Sequence, residues 1–355
     1  MESIKEIFKI GYGPSSSHTM GPRKAAEEFL AKNSDADKFE VTLFGSLAAT
    51  GKGHLTDTAI EQVFREKKIE IIWKPEIFLD KHPNAMTIKA VKGDAVVNEW
   101  TAYSIGGGDV IDESSTIERE QIYDLSTMKD ILEWVDKRGK HFWEYVDHCE
   151  NSDVWDYLLE VWKVMENAVE TGIEEEGTLP GIINLPRKAS TYFIKAQGLK
   201  KSLKSRSLVF AYALAVAEEN AGGGKVVTAP TCGSCGVVPA VLYHIKKSYD
   251  FSERKIIRAL ATAGLIGNLV KTNASISGAE VGCQGEVGTA CSMASGAVLQ
   301  LFGGTPSQIE YAAEMGLEHH LGLTCDPIAG LVPIVFFEMV ELETSRALDA
   351  NNYAV

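Results

Sequence analysis

Residues 154–165 read VWDYLLEVWKVM, and the spacing of their apolar side chains settles the character of the longer part of the chain. Val154, Leu158, Val161, Trp162 and Met165 recur at the 3.6-residue period of an α-helix and make one apolar stripe. Towards the C-terminus the same pattern continues. Ser207–Asn220, Val237–Ser248, Glu253–Val270, Val287–Phe302 and Pro306–His320 all read as helices, several rich in Ala and Gly, which permits close helix packing. The run FGGTP at 302–306 breaks two of them, with Thr305 as N-cap and Pro306 in the first turn.

Towards the N-terminus the pattern changes. Pro22–Lys32 is helical, with Ala25, Ala26, Phe29 and Leu30 on one side, and Leu55–Arg65 is a second helix with Thr56 read as its N-cap. Phe39–Phe44 alternates polar and apolar, as a half-buried strand does. Ile69–Trp73, Ala85–Val91 and Ala95–Ser104 are further β-rich runs, separated by Gly, Pro and Lys, and the β-rich part ends near Gly106-Gly107-Gly108. The fold class is therefore α+β. A sandwich-like α/β domain over residues 1–125 precedes an all-helical domain over 126–355. A stretch rich in Asp, Glu and Ser at about 110–135 links them.

Bulk properties narrow the classes. A chain of 355 residues with 45% hydrophobic and 24% charged content is ordinary for a globular enzyme. A net charge of −14 argues against nucleic acid or an anionic membrane as partner. No stretch approaches the roughly 20 apolar residues of a membrane span, and MESIKEIFKIGYG lacks a signal-peptide layout. Six cysteines without a secretory signal read as thiols in a reducing compartment, so a cytoplasmic protein is expected.

The chemistry-bearing residues sit in glycine-rich loops. Cys283 lies in SGAEVGCQGEVGTACSMAS and Cys325 in EHHLGLTCDPIAGL. Each thiol fits either a metal or cluster ligand or a buried core residue. Gly13-Pro14-Ser15-Ser16-Ser17-His18-Thr19 is a loop opening a helix. Its hydroxyls and backbone N–H groups suit a substrate carboxylate, and equally a plain N-cap. Asn273, Ser275 and Ser277 precede the Cys283 loop and read as substrate contacts or as turn chemistry beside Gly278. Glu286 and Asp326 flank the two cysteines and read as groups that support a metal ligand or, first, as helix-start carboxylates. Lys271 reads as a helix-end cation rather than a Schiff-base lysine. Cys232-Gly-Ser-Cys235 is a CxxC without a second pair at zinc-finger spacing, which weakens structural zinc. Cys291, two helical turns beyond Cys283, lies roughly 12 Å along a continuous helix and too far for a shared cluster. Cys149 is read as structural.

Four strings carry a resemblance: GPSSSHTMGPRKA at 13–25, GSLAATGKGHLTD at 45–57, NASISGAEVGCQGEVG at 273–288 and LGLTCDP at 321–327. Together they resemble the iron–sulfur L-serine dehydratases (L-serine ammonia-lyases), from the N-terminus to about residue 332. The resemblance implies conversion of L-serine to pyruvate and ammonia at a [4Fe–4S] cluster held by three cysteines, with one iron left for the substrate. Cys283 and Cys325 match two of the ligands. The run GLVPIVFFEM puts Phe336 at the third position, so Cys235 of the CGSC loop is taken as the substitute. The resemblance further makes His18 the candidate for proton transfer, and Ser15, Ser16, Ser17, Thr19, Asn273, Ser275 and Ser277 the candidate substrate contacts. A homo-oligomer acting on a small molecule is expected. A chain end shorter than the family's, whose tail reaches the active site, is expected as well. The alternatives are a family member that has lost activity with its ligand, and a CxxC zinc or redox protein.

Overall fold

The computed structural model describes residues 1–115, 120–180, 184–323 and 333–354. Strand β1 (Ile10–Tyr12) is followed by a single π-turn, Ser16–Met20, which runs into helix α1 (Gly21–Lys32). Then come β2 (Lys38–Phe44), α2 (Gly45–Thr50), α3 (Thr56–Val63), β3 (Lys68–Lys74), β4 (Ala85–Lys92), β5 (Ala95–Gly106) and β6 (Asp109–Asp112). The five strands β2 to β6 form one sheet in the order β3-β2-β4-β5-β6, parallel between β2 and β3 and antiparallel elsewhere. The parallel pair is joined by α2 and α3, because parallel neighbours need a crossover connection.

Strand alternation decides which face of the sheet is covered. Phe39, Val41 and Leu43 of β2, Met86 and Ile88 of β4 and Ala102 of β5 pack with Ala25, Ala26 and Phe29 of α1, Leu47 of α2 and Ile60 of α3. The opposite face is polar. There Lys38 pairs with Glu40 and Glu70, Lys89 pairs with Glu99, and the Thr87 and Thr101 hydroxyls meet at 2.9 Å. A sheet packed on one side and wet on the other is the two-layer arrangement that antiparallel sheets allow.

The helical part begins with α4 (Met128–Arg138), α5 (Phe142–Cys149), α6 (Val154–Glu174), α7 (Ala189–Gln197) and α8 (Lys201–Ala221). After strand β7 (Lys225–Val227) it continues with α9 (Val237–Tyr249), α10 (Glu253–Asn273), the short α11 (Gly278–Val281), a π-turn over Gln284–Gly288, α12 (Thr289–Leu301), α13 (Pro306–Glu318) and α14 (Pro333–Ala354). The stripe on α6 is buried as its period demands, with Trp162 fully enclosed. A large apolar side chain so placed contributes on the order of 1.5–3 kcal/mol. Thr305 caps α13 through a capping box with Gln308. Among the described residues no helix is long and apolar enough to cross a membrane.

The first twelve residues belong with the helices rather than with the sheet. Ile4, Ile7 and Phe8 are buried in the helical core. Antiparallel pairing sets Ile10 opposite Val227 and Tyr12 opposite Lys225. The Thr228 hydroxyl donates to the Ile7 carbonyl and accepts from the Lys9 amide.

Three expectations need correction. The β-rich part does not stop at the triple glycine, because β6 adds an edge strand where the linker was expected. Four residues containing two aspartates carry no readable alternation. Thr56 is not an N-cap. Leu55, at φ 53°, holds that position, and the Thr56 hydroxyl donates to the His18 carbonyl at 2.6 Å. Helix α8 begins at Lys201, six residues before Ser207, because its first turns are mostly exposed and show no apolar period.

Candidate active site

A cavity of about 770 Å³ opens between the sheet domain and the helical body. From the sheet side it is lined by the Ser15–His18 loop, Ser46, His54, His82 and Asn84. From the helical side it is lined by Asn220, Thr231, Cys232, Lys271, Ser275, Ser277 and Glu286. The loop is clamped to both walls. The Asn220 amide donates to the Pro14 carbonyl at 3.2 Å, and the Gly13 amide donates to the Gly224 carbonyl at 3.1 Å. A Cβ at Gly13 would collide with the Asn220 backbone, so only glycine permits this approach.

Ser15 is the cap of the π-turn, and its hydroxyl accepts the His18 amide at 3.2 Å. The capping and the site-lining readings of this loop therefore hold together. His18 Nδ1 lies 2.8 Å from Ser17 Oγ, and Nε2 lies 3.0 Å from Ser46 Oγ. Its ring centroid is 4.7 Å from that of His54. Burial, reinforced by the neighbouring charges of His54 and His82, lowers the His18 pKa to about 4. The imidazole is thus neutral at neutral pH, with a lone pair to accept a proton.

Glu286, which the sequence offered first as a helix-start carboxylate, lines the cavity. It is half-buried in area, but its carboxyl is surrounded by protein where it lines the cavity. Burial raises its pKa from the ordinary carboxylate value, and a hydrogen bond donated by the Thr231 hydroxyl works the other way. Glu286 stands in the first turn of its π-turn, as the helix-start reading has it, and it also lines the cavity. Its neighbours supplied a signal. Gly285, Val287 and Gly288 are all buried types, and such a run offers an acidic side chain no solvated face.

The remaining candidates separate. Ser275 and Ser277 line the cavity, the first donating to the Glu280 carboxylate and the second giving its amide to Ser275 Oγ at 3.1 Å. Two others, Thr19 and Asn273, are not among the residues that line the cavity. Thr19 is buried and donates to the His54 carbonyl at 2.7 Å, tying two loops together. Asn273 ends α10 and donates to the Ser126 and Leu269 carbonyls at 2.8 and 2.9 Å. Lys271 lines the cavity with its ammonium paired to Glu2 at 2.8 Å, a helix-end cation as expected.

Cys283 is 4% exposed and follows Gly282, whose φ of 73° turns the chain there. A buried thiol at a turn beside the cavity wall suits the soft-donor chemistry of an iron–sulfur group. Cys325 lies outside the described residues. Phe336 falls within α14, and its side chain lies outside them too. Of the CGSC pair, Cys232 lines the cavity, whereas Cys235 packs in the helical core. Burial, with Glu286 adding to it, pushes the Cys232 thiol up to about 12, and a hydrogen bond with Ser16 opposes the shift.

Known proteins match this arrangement along its whole length. Residues 3–62 match the serine dehydratase beta chain family, and residues 56–355 match the serine dehydratase alpha chain family. L-serine dehydratase TdcG of Escherichia coli (strain K12) is 38% identical over 412 aligned positions, covering 100% of this chain and 90% of that protein. The L-serine dehydratase of Haemophilus influenzae is also 38% identical, with 100% and 90% covered. That of Streptomyces coelicolor is 37% identical, with 99% and 90% covered. The serine-rich loop, the buried Cys283 turn and these matches together place the chain in the iron–sulfur serine dehydratase family.

Proposed function

We propose that this chain is an L-serine ammonia-lyase, releasing pyruvate and ammonia from L-serine in the cavity between its two parts. The single observation that carries the reading is the convergence of the Ser15–His18 loop and Glu286 on that cavity. Of the titratable groups there, His18 is pushed down and Glu286 up. Such a pair divides into a base and an acid.

Serine dehydration removes a weakly acidic Cα proton and expels a poor leaving group. Ser15, Ser16 and Ser17 offer hydroxyls to the substrate carboxylate, with Ser275 and Ser277 across the cavity. Neutral His18 takes the Cα proton and becomes cationic, stabilised by the flanking Ser17 and Ser46 oxygens. Glu286, whose acid form burial favours, gives its proton to the departing hydroxyl, so that water leaves. The enamine that remains tautomerises and hydrolyses to pyruvate and ammonia. A proton passed from His18 to Glu286 through cavity water resets the pair. When bound, an iron–sulfur cluster would supply an electron-pair acceptor for the leaving oxygen. Cys283 and Cys325 would hold it, with the third thiol drawn from the Cys232–Cys235 loop, and a [4Fe–4S] cluster is the type this donor set suits.

The test is anaerobic reconstitution followed by assay of iron, sulfide and serine-dependent pyruvate release. The parent is expected to carry iron and sulfide and to release pyruvate, and Cys283→Ser to lose both. A parent that holds iron and sulfide in full yet leaves serine untouched overturns the reading.

A further inference from the structure

Helices α12, α13 and α14 meet at a second cluster that the serine chemistry does not use. Among the described residues, Cys291, His320 and Glu343 bring their ligand atoms within 4.8 Å of one another. The cluster is dry: Cys291 and His320 are 0% exposed and Glu343 is 3% exposed. His320 Nδ1 lies 2.6 Å from the Gly316 carbonyl, a contact that requires the proton on Nδ1. In the neutral ring Nε2 is then an acceptor. Nε2 nevertheless meets Glu343 Oε2, which is an acceptor as well. Two facing acceptors need a cation between them, either a proton or a metal ion.

A third donor lies beside the pair. A shared proton completes His320 and Glu343, and the Cys291 thiol then donates to the Glu343 backbone carbonyl at 3.5 Å. A metal ion takes soft sulfur, imidazole nitrogen and carboxylate oxygen together, and the zinc-class ions accept that mixture. The Nδ1–H to carbonyl bond is the orienting contact that metal-bound histidines make. Glu343 is also steadied from outside, its other oxygen lying 3.5 Å from Arg346 Nη1.

We propose that Cys291 Sγ, His320 Nε2 and a Glu343 carboxylate oxygen bind one divalent zinc-class ion, separate from the iron–sulfur group. On binding, the Cys291 thiol proton and the proton shared by His320 and Glu343 leave to solvent. The ion ties the end of α13 to α14, the elements on either side of residues 324–332. It thereby steadies the two elements that flank the segment carrying Cys325.

The probe is Co²⁺ alone, added to protein purified anaerobically and stripped with a chelator. The parent and Cys283→Ser, which lacks a cluster ligand, are expected to bind one equivalent. Both should show a thiolate-to-cobalt band in the near ultraviolet and the visible bands of a tetrahedral site. Cys291→Ala is expected to lose the thiolate band, and His320→Gln to weaken binding at least about 10-fold. Because loss of a buried side chain can loosen the core by itself, thermal unfolding supplies a second readout. Zn²⁺ should raise the midpoint of Cys283→Ser and leave that of the Cys283→Ser/Cys291→Ser double variant unmoved. Absence of a stoichiometric ion, or a thiolate band that persists in Cys291→Ala, overturns the proposal. Neither result bears on pyruvate release, so the serine chemistry stands or falls separately.

Discussion

The Thr231 hydroxyl donates to the Glu286 carboxylate at the cavity wall, joining the CGSC loop to the turn that follows Cys283. It opposes the burial that raises the pKa of this acid. Thr231→Val removes that opposition, so the Glu286 pKa should rise further and the alkaline limb of the kcat profile should move to higher pH. Glu286→Gln should lower kcat by about 10²- to 10⁴-fold, the usual worth of a general acid. Iron and sulfide content should not change in either variant. The pH profile of kcat, with metal analysis of each protein, is the check. An unmoved alkaline limb in Thr231→Val would remove Glu286 from the proton chemistry.

Gly278 touches the same carboxyl. A Cβ there would collide with Glu286 Oε1, which is the far end of a flexible side chain. The carboxyl should therefore move while the backbone stays. Gly278→Ala is expected to stay folded, with stability within about 0.5 kcal/mol of the parent. Its kcat should nevertheless fall by as much as about 10²-fold, because small misplacements of a reacting group are costly. Denaturant unfolding and turnover measured on one preparation separate the two effects. Equal loss of both would mean that the glycine is needed for the fold alone.

Histidine burial predicts how stability varies with pH. His18 and His244 are both lowered to about 4, His18 by burial and its histidine neighbours, His244 by burial alone. As pH falls below the ordinary value of 6.5, the unfolded chain takes up protons that the folded chain refuses. Stability should thus be full above about pH 6.5 and should fall progressively towards about pH 4. Urea midpoints at pH 7 and pH 5 test this. The loss should shrink in the His18→Gln/His244→Gln double variant, and an equal loss in parent and variant would refute the assignment.

What was legible in the chain followed from period and local chemistry. The stripe on α6, the alternation of Phe39–Phe44 and the Thr305-Pro306 helix start are each decided within a few residues, and the structure reproduces them. What escaped depends on partners far away in sequence. Strand β1 has three residues and no readable alternation, and it exists because Val226 and Val227 lie beside it. Glu286 is an unremarkable acid until Thr231, fifty-five positions away, and the cavity wall enclose it. The cluster of Cys291, His320 and Glu343 draws on α12, the turn after α13 and α14, and no spacing rule connects its members. The serine-rich loop stood between these cases. Its residue types suggested anion binding, but sequence could not separate Thr19, which became a strut, from Ser15, Ser16 and Ser17, which face the cavity.

The pairing of β1 with β7 bears on the order in which the molecule is built. A ribosome releases the chain from its N-terminus, and units close as soon as their parts are out. The strands of the sheet lie within residues 38–112, so the sheet can close early. The serine loop just ahead of it waits, because its anchors at Asn220, Gly224 and Val227 emerge much later. Ile4, Ile7 and Phe8 wait with it, apolar and without their helical neighbours. These early residues are thus among the last to find their place, and the reaction chamber is assembled only when the later helical part returns to them.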